Sequence, residues 1–248
     1  MLFLSDWGHQ TAFELWDSAK TGAPPTLENG LINGTNTYDC SKSDDAACIG
    51  GGKKHEIVFE AGKMYRIRVV NTAIDGHFQF SIDGHKLTVI GMDLVPIVPY
   101  VTDSLLVSIA QRYDVIVEAN AVADNYWLRA GWVSSCSENA NAANITGIVR
   151  YDSTSTDEPT STGITVGTNC GDEPLASLVP YLPMNVVNFS EGAVIEEAVS
   201  FAFKDYFTWT VGGSSLYLNW SDPTTLKIFN SETIWPTEYN VVPVDVSF

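Results

Sequence analysis

The sequence predicts an all-β chain, folded as an antiparallel β-sandwich or barrel. Three observations carry this. From residue 56 onward short runs of β-forming residues follow one another, and many alternate apolar and polar with period two. AGK, DG, GMD and ADN stand between them and supply turns. Nothing in the same stretch keeps a long 3.6-residue apolar period, so helices are expected to be minor.

In chain order the expected strands are EIVFE (56–60), MYRIRVV (64–70), HFQFSI (77–82), KLTVIG (86–91), SLLVSIA (104–110), YDVIVEA (113–119), NYWLRA (125–130) and GIVRY (147–151). Their length and spacing suit a sandwich or barrel. Residues 20–55, rich in Gly, Pro, Asn and Ser, are expected to run over the surface. Residues 152–174 (DSTSTDEPTSTGITVGTNCGDEP) read as a polar linker. Strand-like runs resume at 197–213, 215–220 and 226–230. The expected organisation is thus a β-domain over 1–151, a linker over 152–174 and the opening part of a second unit over 175–248.

A chain of 248 residues can bury a core without cross-links or metals. No apolar run approaches the ~20 residues of a membrane span, so no membrane partner is expected. Acidic residues outnumber basic ones 30 to 13, for a formal charge of −17. Such a field repels nucleic acid, which is set aside as a partner.

Four N-x-[ST] triplets, at Asn33, Asn144, Asn188 and Asn219, together argue for a secreted, extracellular glycoprotein. The four cysteines, Cys40, Cys48, Cys136 and Cys170, form no CxxC. In an oxidising compartment two disulfides are expected. Pairing of neighbours, 40 with 48 and 136 with 170, is the expectation among three open connectivities. MLFL is too short for the apolar part of a signal peptide, which points to a processed or truncated chain.

The chemical candidates cluster in NTAIDGHFQFSIDGH (71–85). On a strand His77, Gln79 and Ser81 face one way and Phe78, Phe80 and Ile82 the other. His77 and His85, eight apart across a turn, lack the spacing of a local chelate and read as core histidines. Asp83, in Asp-Gly, reads as a hairpin-turn residue. Asp75, on residues alone, reads as a solvated turn carboxylate on a binding-competent loop. Arg112 and Asp114 read as a structural ion pair or strand-end hydrogen bond. The aromatics of FAFKDYFTWTV read as alternating core positions. No GxSxG, P-loop or dinucleotide fingerprint occurs in its proper context.

Several runs in order resemble the middle domain of ascomycete laccases: SDWGHQTA, GAPPTLENGLINGT, KMYRIRVVNTAIDGHFQFSIDGHKLTVIGMDLVPIVPY, DSLLVSIAQRYDVIVEA and NYWLRAGW. DEPLASLVPYL and PTTLKIFNSETIWPTEYNVV resemble the start of the third domain of the same enzymes. The resemblance covers essentially the whole chain. It implies a cupredoxin-like Greek-key β-sandwich or barrel, followed by an incomplete second cupredoxin-like unit.

Laccases are multicopper oxidases of three cupredoxin domains that oxidise phenols by one electron and reduce oxygen to water. Their copper ligands lie in HWHG and HxH motifs of the first domain and in HPxHLHGH and HCHxxxH motifs of the third, none of which is in this sequence. The resemblance therefore implies copper in the intact enzyme but no metal site here, and a chain inactive without the missing first and third domains. It places Asp75 where the family has an acidic residue facing the phenol, as hydrogen-bond or proton acceptor. It matches Ala23 and Pro24 to the apolar pocket wall, with Phe229 and Trp235 as further wall candidates. It matches Cys136 and Cys170 to the disulfide that brackets the interdomain linker. Two other readings stand beside it. One is a stand-alone β-sandwich binding small phenols or sugars. The other is a copper electron carrier using His77 and His85.

Overall fold

Alternating side chains reach one face of a pleated ribbon, so period-two runs pair into sheets that each bury one side. In the computed structural model, residues 1–20, 22, 24–184, 198–203, 206–215, 219 and 221–232 are described. The elements in chain order are β1 (Leu2–Trp7), α1 (Ala12–Ala19), β2 (Asn29–Ile32), β3 (Glu56–Val58), β4 (Met64–Asn71), β5 (Phe78–Ile82), β6 (Leu87–Met92) and β7 (Val95–Thr102). They continue with β8 (Leu105–Val107), β9 (Arg112–Glu118), β10 (Asn125–Trp132), β11 (Thr146–Arg150), β12 (Val199–Phe203), β13 (Phe207–Val211) and α2 (Thr224–Phe229). The chain divides into two compact units, residues 1–9 with 26–184 and residues 10–25 with 185–248.

The first unit is a two-sheet sandwich. One sheet has the order β2-β1-β4-β9-β6-β7, the other β3-β11-β10-β5-β8. Most pairs are antiparallel, but β1 runs parallel to β4 and β3 parallel to β11. Val69, Val89, Val115 and Val117 of the first sheet and Phe78, Phe80, Leu105 and Leu128 of the second are fully buried between them. Each such side chain contributes about 1.5–3 kcal/mol on leaving water. The sheets do not close on each other, so the architecture is a sandwich and not a barrel.

All eight runs expected between 56 and 151 form strands. Three further strands lie where none was expected. The N-terminal apolar residues make β1, with Leu2 and Leu4 buried. Residues 20–55 contain β2, and Leu27, Asn29, Ile32 and Asn36 are buried. β7 carries Pro96 and Pro99, which deny it two ladder donors and suit it to the sheet edge it occupies.

Residues 152–174 are bound to the first unit at several points. Arg129 donates to the Ser161 carbonyl, Gly167 N–H to Gln79 Oε1, and Leu106 N–H to Glu173 Oε1. A Cβ on Gly131 would collide with Val166, which shows how closely this strap lies on β10. Both disulfides pair neighbours, Cys40 with Cys48 and Cys136 with Cys170.

In the second unit α1 opens with a reciprocal cap. Thr11 Oγ1 accepts from Glu14 N–H, and the Glu14 carboxylate accepts from Thr11 N–H at 2.7 Å. β12 and β13 form an antiparallel hairpin. Phe201, Phe203 and Trp209 on it are more than half exposed, against the expected core positions, and Phe201 stacks on Phe207 instead. Residues 226–230, expected as a strand, lie within α2 and its end, following Pro223 at the N-cap. The strand expected at 215–220 lies mostly outside the described residues.

Candidate functional site

The turn between β4 and β5 is held by hydrogen bonds to the side chains of Asn71, Thr72 and Asp6. Asn71, buried at the end of β4, donates from Nδ2 to the Gly76 and Val107 carbonyls at 2.8 and 2.9 Å and accepts from Ala73 N–H at 2.9 Å. Thr72 N–H and Oγ1 both donate to the Leu4 carbonyl. Asp6, near the end of β1, accepts on Oδ2 from Ile74, Asp75 and Gly76 N–H at 3.0, 2.7 and 3.0 Å. Gly76 has no room for a side chain, because a Cβ would stand 2.8 Å from the Trp132 ring and 2.9 Å from Phe78.

Asp75 projects from this fixed turn and is half-buried. The Ser137 hydroxyl donates to its backbone carbonyl at 3.2 Å. Desolvation by burial lifts the Asp75 carboxyl above its ordinary range; a hydrogen bond from Ser137 opposes this and the negative charge of Asp6 adds to it. The result is a carboxylate that binds a proton more readily than a free aspartate does, beside the exposed Ile74.

The two histidines of the stretch are buried and structural. His85 Nδ1 lies 2.8 Å from the Asp83 carbonyl, which can only accept, so Nδ1 carries the proton and Nε2 accepts from the Tyr151 hydroxyl at 2.7 Å. The Ser108 hydroxyl donates to Asp172, so it accepts from His77 Nδ1–H at 3.2 Å. His77 Nε2 is then a bare, buried nitrogen with no hydrogen-bond partner. Burial pushes both rings below the usual histidine range and keeps them neutral.

Asp83 does more than turn the chain. Gly84 adopts φ +69°, as the Asp-Gly signal implies, yet the buried Asp83 carboxylate also takes two hydrogen bonds from Arg129 and one from Ser161. Arg112 and Asp114 do not pair with each other. Arg112 pairs with Asp93 at 3.3 Å, and Asp114 with Arg66 and Arg68.

Among the described residues no three His, Cys, Asp or Glu side chains converge as metal ligands. All four cysteines are in disulfides and offer no thiolate. The described residues therefore do not fit a copper centre. Of the other sequence candidates, Pro24 and Phe229 are exposed and belong to the second unit, while Asp75 belongs to the first. Ala23 and Trp235 lie outside the described residues, as does Asn188.

Three of the N-x-[ST] asparagines make structural hydrogen bonds. Asn33, at φ +48°, accepts from Phe3 N–H at 2.8 Å, and its Nδ2 lies 3.0 Å from His55 Nε2. Asn144 accepts from Lys54 Nζ at 2.8 Å and donates to Thr37 Oγ1 at 3.3 Å. Asn219 Oδ1 caps Ser221 N–H at 3.1 Å.

Residues 1–154 match the family model described as multicopper oxidase. The chain is 62% identical over 244 residues to Laccase-2 of Botryotinia fuckeliana, covering 98% of this chain and 42% of that protein. It is 44% identical to the oxidoreductase OpS5 of Beauveria bassiana, covering 96% and 41%. Among solved structures, the laccase from Botrytis aclada superposes with a TM-score of 0.88 at 62% identity, covering 97% of this chain and 44% of that one. Fet3p, a multicopper oxidase that functions in iron import, shares the fold at TM-score 0.70 and 22% identity, covering 87% and 39%. The chain thus spans about two fifths of the length of the curated relatives it matches.

Proposed function

The chain belongs to the multicopper oxidase family, and from that premise we propose that it serves a laccase-type enzyme, which oxidises phenols by one electron and reduces oxygen to water. The observation that carries this reading is Asp75, a half-buried carboxyl of raised proton affinity on a rigid turn. It stands where the resemblance to fungal laccases puts the acid that faces the phenol. In the whole enzyme, copper would supply the electron acceptor and the oxygen chemistry.

The contribution of this chain is proton handling. A phenol hydroxyl donates to an Asp75 carboxylate oxygen. Loss of one electron makes the phenol a far stronger acid, so its proton moves to Asp75 and leaves a neutral phenoxyl radical. Asp75 then releases the proton to water. One electron and one proton leave the substrate, and the carboxylate is restored.

Asp75→Asn in the whole oxidase tests this. Phenol kcat/KM should fall by about 10²-fold, the lower end of what a positioned general base contributes. A donor with no ionisable hydroxyl should be oxidised almost as before, and the acid limb of the phenol profile should vanish. Equal loss on both donors would refute a proton-accepting role. We also propose that the protein acts outside the cell. Its two disulfides support an oxidising compartment, and recovery of the protein in cell extract but not in culture medium would contradict this.

A further inference from the structure

We propose that Asp6 is the positioning residue of the Asp75 site, fixing the turn through its backbone amides and holding a negative charge beside the proton acceptor. The inference rests on the reading of Asp75 as that acceptor.

The geometry is specific to this turn. One carboxylate oxygen of Asp6 gathers three consecutive N–H groups, those of Ile74, Asp75 and Gly76, and the second oxygen also reaches Ile74 N–H at 3.2 Å. Successive amides converging on one acceptor form a nest for an anion, and here the anion is a side chain from 69 residues earlier. Asp6 is itself held by pairing with Gly30 of β2, two residues past the Leu2–Leu4 segment of β1 that pairs with β4. The turn therefore has little freedom to swing Asp75 toward or away from a substrate.

The same arrangement sets charge. Among the described residues, Asp6 on β1 is the charged group that bears on Asp75, and Ser137 from the β10–β11 connection is the uncharged group that hydrogen-bonds to it. Position and charge are separable by substitution. Asp6→Asn keeps an oxygen in the nest and removes the charge. Asp6→Ala removes both.

The test uses the whole copper-loaded oxidase. Hydrogen exchange of the peptide spanning 72–78 reports the nest directly, whatever the activity. In Asp6→Ala exchange at 74–76 should rise about tenfold or more, and phenol KM should rise with it. In Asp6→Asn exchange should change little, while the acid limb of the phenol profile moves to lower pH by about half a unit. That shift corresponds to roughly threefold higher phenol turnover just below the limb. In an Asp75→Asn background, Asp6→Asn should leave the profile where that background puts it.

If Asp75→Asn changes the phenol profile but Asp6→Asn does not, the role of Asp6 is refuted and the Asp75 reading stands. If Asp75→Asn leaves the profile unchanged, the Asp75 reading itself fails. If Asp6→Ala does not fold, Asp6→Asn still decides the charge effect. Unchanged exchange at 74–76 in a folded Asp6→Ala protein would overturn the positional effect.

Discussion

Asp83→Asn should destabilise the first unit through the charge it leaves behind. The Asp83 side chain is 1% exposed and accepts from Arg129 Nε and Nη2 at 2.8 and 2.7 Å and from Ser161 Oγ at 2.8 Å. Asparagine keeps the shape but strands the guanidinium. Removing one partner of a buried pair costs about 3–5 kcal/mol. The Arg129 side chain is 27% exposed, so water recovers part of its solvation and the lower end, about 3 kcal/mol, is expected. At ~2–4 °C per kcal/mol for a unit of this size, Tm should fall by about 6–12 °C. Urea unfolding followed by tryptophan fluorescence measures the change, and the midpoint should move without the slope. Replacing both partners, as in Asp83→Leu with Arg129→Met, should recover much of the loss, because no charge is then left buried. A loss below 1 kcal/mol in Asp83→Asn would refute the argument, since that is the behaviour of a solvated surface pair.

Cys136→Ser with Cys170→Ser opens a 34-residue loop, for which chain entropy gives about 4 kcal/mol of lost stability; the strap should then be cut first in limited proteolysis. Lys54→Met should cost about 1–3 kcal/mol by thermal melts, because it strands Asn36 Oδ1 and the Asn144 carbonyl and side-chain oxygens. Burial brings Lys54 down to about 8 from 10.5, so between these values the unfolded chain holds more protons than the folded one. Stability should therefore gain a contribution as pH rises from 8 to 10.5, and Lys54→Met should abolish it. His85, kept neutral by burial, acts in the acid range. As pH falls below about 6.5 the unfolded ring takes a proton that the folded ring refuses, so stability drops; His85→Phe should flatten that drop in melts between pH 7 and 5.

The sandwich was legible because alternation is a local property. The runs at 64–70 and 113–119 each carry their buried face in their own spelling, and they meet as β4 and β9. β1 was not legible, since LFLSDW alternates weakly and gains its partners only when β2 and β4 arrive on either side. β7 was hidden by its prolines, which argue against a strand until the edge position is known. The cap of α1 was present as Thr11-x-x-Glu14, but eight residues are too short for periodicity to announce a helix. Of the site, strand alternation and spacing led to core histidines, and both His77 and His85 are buried. Asp83 looked complete as a turn residue, so its ion pair with a strand 46 residues later went unseen.

Asp75 shows why the candidate chemistry lies beyond local motifs. A turn aspartate between two strands is ordinary, and in water it would be a weak base of no particular aim. Its proton affinity is raised because burial desolvates it and because a second carboxylate is held nearby. That second carboxylate would be repelled were it not anchored by three amides of the turn itself. The backbone dipoles thus stabilise Asp6, and Asp6 in turn raises the proton affinity of Asp75. Neither aspartate has this behaviour alone, and they come together only when a strand at the start of the chain threads the sheet beside β4. Substitutions that loosen the β1–β4 pairing without touching either carboxylate should therefore act on the phenol pH profile, in the same direction as Asp6→Asn and with raised exchange at 74–76. Leu4→Ala is such a substitution, since Leu4 is fully buried and its carbonyl receives both Thr72 donors.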